Sequence, residues 1–144
     1  MCNVIGSTIS RYTGNGVYLH AGPEYAVAST KVFTSMIGAG LLLALSISDI
    51  PNKKKKMIIE EFRKIPSKIS KQLFEDDGSI EKAVKIISKS EYALFIGRGG
   101  IGTALANEGS LKMMEITYIP CISLPGGELK HGPIALITEG TPII

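Results

Sequence analysis

The chain has 144 residues, the size of one ordinary domain, and 44% of them are hydrophobic, which is enough for a packed core. Only 20% are charged, which excludes a disordered chain of high charge and low hydrophobicity. The net charge is +3, and four of the positive charges form the run 53–56 without interleaved aromatic residues, so a solvated helix start is favoured over nucleic-acid binding.

The first third of the chain predicts two short strands and a long helix. Residues 2–5 and 17–20 have the length and apolar character of strands, and a Gly-Asn-Gly turn signal precedes the second. A long apolar helix is expected over 27–48, ending before Pro51, because proline cannot continue a helix.

The middle of the chain predicts two further helices. Residues 53–73 form a basic amphipathic pattern, interrupted or bent before Pro66, and the run Asp-Asp-Gly at 76–78 breaks it. Ser79 is a preferred residue type at a helix N-cap, so we expect it to cap a helix over 80–90.

The last third predicts a parallel strand–helix–strand unit. An apolar run at 92–96 has strand length and leads into the glycine-rich turn 97–100, which a helix over 103–117 follows. The next strand is expected at 119–124, and a short helix at 133–137 follows the polar loop after it.

The alternation of strands and helices predicts an α/β fold. Such a fold has a parallel sheet covered by helices on both faces, which is a three-layer α/β/α sandwich. Both ends of the chain, at 2–5 and 141–144, have the character of interrupted strands, whereas natural domains usually end on exposed polar residues. We therefore expect this chain to be a piece of a longer protein.

Cysteine usage and hydropathy favour a protein of a reducing, aqueous compartment. Cys2 and Cys121 lie far apart, without the spacing of metal ligands, and each is in an apolar run. The apolar run 36–47 is shorter than the roughly twenty residues that span a bilayer, and no basic leader follows Met1. We expect a cytoplasmic protein that binds no membrane and needs no metal.

The glycine-rich sequence GRGGIG at 97–102 matches the GxGxxG dinucleotide pattern. Backbone N–H groups at the start of the following helix could bind an anion. The acidic residue expected about twenty positions further on, at a strand end, is missing. A tight turn without a ligand is therefore favoured over nucleotide binding, and both interpretations stay open.

Three charged residues, Glu108, Lys112 and Glu115, share one face of the helix predicted over 103–117. Their spacing favours a solvent-facing ladder of ion pairs, each worth a few tenths of a kcal/mol. The alternative is a carboxylate base beside a lysine in a cleft, where desolvation and charge tune each pKa.

Residues outside this helix also allow a functional or a structural interpretation. His131 lies in the loop sequence GGELKHGP and could act as a general acid–base group, although a loop histidine is more often simply exposed. Ser29 and Thr30 suit helix capping as well as hydrogen bonds to a sugar or phosphate. His20, at the end of a strand, is expected to be a core or capping histidine.

Several motifs together resemble the glutamine–fructose-6-phosphate aminotransferase family. They occur in the family's order along nearly the whole chain: AGPE at 21–24, VASTKVFT at 27–34, ALFIGRG at 93–99, EGSLKMMEI at 108–116 and GELKHGP at 127–133. Within them, Met114 stands where the family has a second lysine, and Pro-Cys-Ile-Ser at 120–123 replaces its HAEA sequence.

The resemblance implies a place within the isomerase half of that family. This half consists of two sugar isomerase (SIS) subdomains, each a parallel α/β sandwich. Residues 1–50 would complete the first subdomain, and residues 51–144 would supply the connecting helices and begin the second. The family's glutaminase domain, phosphate-binding loop and Schiff-base lysine have no counterpart among the matched motifs.

The resemblance also implies roles for matched residues. Glu115 corresponds to the base that moves a proton between C1 and C2 of the open sugar, and Lys112 to the active-site lysine one helical turn before it. His131 corresponds to the histidine that helps to open the sugar ring, supplied across a dimer interface to the partner's site. The residues that would line the sugar site are Val27, Ala28 and Ser29.

The implied activity is formation of glucosamine 6-phosphate from fructose 6-phosphate and glutamine-derived ammonia, with no cofactor and no metal. The implied assembly is a homodimer that binds these sugar phosphates and no nucleic acid. A non-catalytic SIS module that binds sugar phosphate for regulation is the alternative, and the sequence leaves it open.

Overall fold

Two units make up the chain in the computed structural model, which describes residues 1–75 and 77–144. They are Met1–Glu75 and Asp76–Ile144. Asp76, which belongs to the predicted helix break at 76–78, lies outside the described residues.

The first unit begins with a single bridge where two strands were expected. Cys2 pairs in parallel with Tyr18, and its N–H donates to the Val17 carbonyl at 3.0 Å. The predicted strand 2–5 is wrong beyond this point, because the chain turns back on itself: the N–H of Ser7 donates to the Val4 carbonyl at 3.3 Å. The sequence prediction also missed helix α1, Thr8–Thr13, which follows this turn.

Three helices complete the first unit: α2 at Lys31–Ile47, α3 at Asn52–Arg63 and α4 at Ile65–Phe74. The predicted interruption before Pro66 is confirmed, since α3 ends next to Lys64 and α4 begins with proline near its first position, where a missing N–H costs nothing. Helix α2 begins later than the predicted 27, because residues 25–30 form a loop before it.

The second unit contains a parallel sheet. Helix α5, Ser79–Ile87, leads to β1 at Ala93–Gly97, and β1 pairs in parallel with β2 at Cys121–Pro125. On its other side β1 pairs with the chain end through the parallel bridge of Leu94 to Ile143. The predicted strand character of 141–144 and the parallel α/β fold class are thereby confirmed, and β1 lies in the interior of the sheet with Leu94 fully buried, at 0% exposure.

Helix α6, Gly99–Thr117, connects β1 to β2 and packs on the sheet. The core between them contains Ala93, Phe95 and Cys121 from the strands and Ala106 from the helix. Met113 and Met114 pack against this cluster, which explains the departure at Met114: an apolar side chain suits that position better than the charged lysine of the family motif.

The helix boundaries in this unit differ from the prediction at two points. Ser79 is the first residue of α5 rather than its cap, since Gly78 takes the N-cap position and the Asp77 carboxylate accepts the N–H of Ser79 at 3.0 Å. Helix α6 starts at Gly99 and not at 103, so the glycine-rich turn forms its first turn. Among the described residues, none of the helices has the length and hydropathy to cross a bilayer.

Candidate functional site

The charged face of α6 brings three of the predicted residues together. The Lys112 ammonium donates to Glu115 Oε2 at 2.8 Å, and its Nζ lies 3.4 Å from Glu108 Oε1. The sequence spacing of i, i+4 and i+7 places these residues on one helical face. The opposite face of α6 carries Ala106 and Met113, which pack on the sheet.

This charged face is shielded from solvent more than a surface ladder would be. The side chain of Lys112 is 21% exposed and those of both glutamates are 24% exposed. By contrast, the same i, i+4 pair between Glu81 and Lys85 on α5 has side chains about 70% exposed, at 71% and 69%. The ion pairs that the spacing favoured are therefore present, but their side chains are less exposed than those of a solvent-facing ladder, so water screens their charges less.

The ion pairs keep Lys112 charged. The hydrogen bond to Glu115 raises the pKa of Lys112 above its ordinary value, burial opposes this, and Glu108 adds a smaller upward effect. A cation with two carboxylates beside it in a partly dry setting can stabilise negative charge that develops nearby. The arrangement therefore combines a potential base with an electrostatic partner.

Packing of α6 depends on small residues. Gly97 closes β1, and a Cβ there would overlap the Gly102 carbonyl and the N–H of Thr103, so the strand end and the helix start lie in close contact. A Cβ on Gly109 would lie 2.9 Å from the Phe95 ring. The contact at Gly97 gives the first glycine of GRGGIG a packing role, as the tight-turn interpretation expects.

The loop GGELKHGP at 126–133 begins directly after β2 and forms a 3-10 helix at Gly126–His131. A second 3-10 helix follows at Pro133–Leu136. His131 is exposed at the end of the first. In the parallel register Gly97 pairs with Pro125, so the carboxyl ends of β1 and β2 lie side by side. His131 thus follows the strand edge at which α6 starts, whereas Glu115 belongs to the last turn of α6.

The predicted sugar-lining residues lie in the first unit, in the loop that precedes α2. Val27 is 85% exposed, whereas Ala28 is only 6% exposed and anchors the loop. Ser29 is half-buried and its hydroxyl donates to Glu24 Oε1 at 3.4 Å. Glu24 is a residue of the AGPE motif for which the sequence analysis predicted no role; no sequence signal pointed to it, because Ser29 and Thr30 already supply capping residue types before Lys31.

Other positions carry less chemistry. His20 is exposed, with a backbone φ of 53°, so its expected place in the core is wrong. Cys121 is buried in the sheet, and this burial raises the pKa of its thiol. In the part of the chain that the structure describes, no three His, Cys, Asp or Glu side chains are grouped as they would be around a metal ion.

Each unit also has a groove. In the second unit a groove of about 590 Å³ lies between the end of α5, Tyr92 and residues 138–142. In the first unit a groove of about 580 Å³ lies beside α2, lined by residues 17–19 and by Phe62 of α3. The six predicted site residues line neither of these two grooves.

Comparison with known proteins identifies the second unit. Residues 86–144 match the SIS domain family. This match lies within the second unit. The chain is 44% identical over 147 aligned residues to the glutamine–fructose-6-phosphate aminotransferase [isomerizing] of Chlorobaculum tepidum, and the match covers 100% of the chain. It is 40% identical over 147 residues to the enzyme of that name from Corynebacterium glutamicum, with 99% of the chain covered.

Solved structures agree with the SIS assignment. The C-terminal domain of glucosamine-fructose-6-phosphate aminotransferase from Francisella tularensis superposes with a TM-score of 0.91 at 35% identity, covering 99% of this chain and 41% of that one. A Clostridium difficile 630 protein assigned as a phosphosugar isomerase has the same fold, with a TM-score of 0.72 at 21% identity, covering 98% of this chain and 41% of that one.

The resemblance indicated by the motifs is therefore confirmed along the whole chain, and the SIS-type α/β fold is confirmed with it. The chain spans only 24% of the Chlorobaculum relative and 23% of the Corynebacterium relative.

Proposed function

We propose that this SIS chain serves the isomerase half of a glutamine–fructose-6-phosphate aminotransferase, which forms glucosamine 6-phosphate from fructose 6-phosphate and glutamine-derived ammonia. The observation that carries the proposal is the position of Lys112, held between Glu115 and Glu108 with all three side chains only 21–24% exposed. The names of the relatives that match along nearly the whole chain support the substrate.

In this proposal Glu115 is the base. Isomerisation of the open sugar removes a proton from one of the neighbouring carbons C1 and C2 and returns a proton to the other, so one carboxylate can serve both steps. The intermediate carries negative charge on an enolate-like oxygen. Lys112, which its two carboxylate neighbours keep protonated, is the group that stabilises this charge.

His131 is the proposed ring-opening group, and it acts at the site of a second copy of the chain. Glu115 lies about 24 Å along α6 from Gly99, given the helical rise of 1.5 Å per residue. Gly99 follows the strand edge next to which the His131 segment begins. Because His131 follows this strand edge and Glu115 lies in the last turn of α6, we propose a homodimer in which His131 of one copy serves the Glu115 of the other.

Val27, Ala28 and Ser29 are the proposed sugar-lining residues. Exposure of Val27 makes its backbone accessible to a sugar, and burial of Ala28 fixes the loop beneath it. The Ser29 hydroxyl, which donates to Glu24, retains lone pairs that can accept a hydrogen bond from a sugar hydroxyl.

The remaining parts of the proposal concern the organisation of the chain and its setting. Residues 1–50 would complete a first SIS subdomain, and residues 51–144 would connect to and begin the second. The protein would act in the cytoplasm, without a metal or cofactor and without binding nucleic acid or membranes.

A chimaera tests the proposal directly. This chain replaces the matching segment of the Chlorobaculum tepidum relative, and glucosamine 6-phosphate formation from fructose 6-phosphate and glutamine is measured. Glu115→Gln should reduce turnover by on the order of a thousand-fold, since the base is lost. Glu81→Gln, which alters the exposed ion pair on α5, is the matched control and should leave turnover unchanged.

Size-exclusion chromatography and retained glutamine hydrolysis establish that each chimaera is folded. Turnover of folded Glu115→Gln within a few-fold of the unsubstituted chimaera would overturn the base assignment. A folded chimaera that binds fructose 6-phosphate without converting it would instead favour the non-catalytic sugar-phosphate-binding module.

A further inference from the structure

Helix α2 has an N-terminus without a cap of its own. Thr30 occupies the N-cap position, but its side chain makes no capping hydrogen bond, and the first turn contains no acidic residue. The helix instead starts with Lys31, a cation at the end where the helix dipole disfavours positive charge. The local sequence therefore leaves the first N–H groups of α2 to a partner from elsewhere.

Glu24 supplies that partner from the other side of the loop. Its Oε1 accepts the N–H of Val32 at 2.8 Å and the hydroxyl of Ser29 at 3.4 Å. Next to it, Lys31 Nζ donates to the Pro23 carbonyl at 2.7 Å. Two of these three contacts, those of Val32 and Lys31, close the base of the loop 25–30, and the contact with Ser29 reaches into the loop itself.

The geometry points to Glu24 as a positioning residue: by capping α2 and orienting Ser29, its carboxylate holds the loop 25–30 in the conformation that presents Val27 and Ser29 to a sugar. That this loop conformation favours sugar binding rests on the proposed function. The capping itself depends only on the contacts of Glu24.

A charged acceptor suits this position. A carboxylate has lone pairs for both donors at once, and negative charge is stabilised at a helix N-terminus. The N–H of Val32 is the main cause that lowers the pKa of Glu24, and the nearby Lys31 ammonium contributes in the same direction. With Ala28 buried below, the loop is fixed at its base by Glu24 and in its middle by packing.

Amide hydrogen exchange and NMR on the 144-residue chain test the capping. Glu24→Ala should accelerate exchange of the Val32 amide by roughly five-fold, the equivalent of one lost cap. Glu24→Gln, which keeps one acceptor oxygen, should retain part of this protection. In the unsubstituted chain the chemical shift of the Val32 amide should change with pH as the Glu24 carboxylate titrates. In Glu24→Gln this titration should disappear. A merely structural role of the side chain would not link the Val32 shift to pH in this way.

Glu60→Ala is the matched control, because Glu60 is exposed on α3 of the same unit. It should change neither the exchange nor the titration of Val32. Unchanged Val32 exchange in Glu24→Ala, or a Val32 titration that persists in Glu24→Gln, would overturn the capping role. If Glu24→Ala does not fold, the presence or absence of the Val32 titration in Glu24→Gln still tests the capping role.

Sugar binding is measured separately on the same samples, with fructose 6-phosphate as the probe and inorganic phosphate as its control. The amides of residues 27–29 should shift with the sugar phosphate only, and Glu24→Ala should weaken this response at least five-fold relative to Glu60→Ala. No response of residues 27–29 in the unsubstituted chain would contradict the proposed sugar site while the Val32 data stand. A full response in Glu24→Ala would overturn the positioning role for the sugar.

Discussion

Lys112 is bound unequally by its two carboxylate neighbours. Its Nζ lies 2.8 Å from Glu115 Oε2 but 3.4 Å from Glu108 Oε1, and only the first distance is a normal hydrogen bond. The lysine is therefore directed toward the residue that we propose as the base. Glu108 adds a second negative charge from one helical turn away.

This inequality predicts how the Lys112 titration responds to each neighbour. The hydrogen bond to Glu115 raises the pKa of Lys112 more than Glu108 does. Glu115→Gln should therefore lower the Lys112 pKa further than Glu108→Gln, as measured by ¹³Cε NMR titration. Equal shifts in the two variants would contradict the asymmetric arrangement.

The same ion pairs predict an alkaline loss of stability. A raised folded-state pKa stabilises the fold at pH values below the ordinary lysine pKa of about 10.4, and this contribution disappears as the pH rises through the raised value. Urea unfolding of the chain at neutral and alkaline pH measures it. In Lys112→Met the part of the alkaline decline due to this residue should be absent.

Removal of the Lys112 charge should impair isomerisation. In the chimaera, Lys112→Met should reduce turnover by on the order of a hundred-fold, because the developing negative charge loses its electrostatic partner. Lys85→Met makes the same change in an exposed i, i+4 pair on α5 and should leave turnover unchanged. Similar losses in both variants would show that the effect is not specific to the α6 face.

The close contact between β1 and α6 predicts a large difference between two glycines. Gly97→Ala should destabilise the chain by about 3 kcal/mol or more, because the new Cβ overlaps the backbone of residues 102–103. Gly100→Ala meets nothing within 4 Å and should be neutral or stabilising by up to about 1 kcal/mol, since alanine favours a helix. Urea unfolding followed by circular dichroism distinguishes the two, and equal stabilities would refute the contact.

A side-chain hydrogen bond joins α6 to β2. The Ser123 hydroxyl donates to Asn107 Oδ1, one residue before Glu108. Asn107→Ala and Ser123→Ala should each cost about 1 kcal/mol, and the double variant should cost clearly less than their sum. Additive losses in this double-mutant cycle would mean that the two side chains do not interact in solution.

Local sequence patterns correctly predicted the helices and strands whose formation does not depend on contacts with distant residues. The apolar run before the GRGGIG turn predicted β1 to within one residue, and the proline at 66 predicted the interruption between α3 and α4. The motifs predicted the SIS fold and the relationship to the family, and two of them contain glycines, Gly97 and Gly109, that the packing of β1 against α6 requires. Where a strand needs a partner, as at 2–5, the local pattern was misleading, since strand pairing depends on distant residues.

The amino-acid sequence alone determined that this chain is a parallel α/β protein and that Glu108, Lys112 and Glu115 share a helical face, because both follow from periodicity along the chain. The SIS type followed from the resemblance of its motifs to a known family. Only the tertiary structure decided that this face is partly desolvated and that Lys112 is bound more closely to Glu115. Only the tertiary structure showed that Glu24 caps α2 across a loop. Burial and contacts between distant residues depend on how the elements pack, and helical or strand periodicity does not encode that packing.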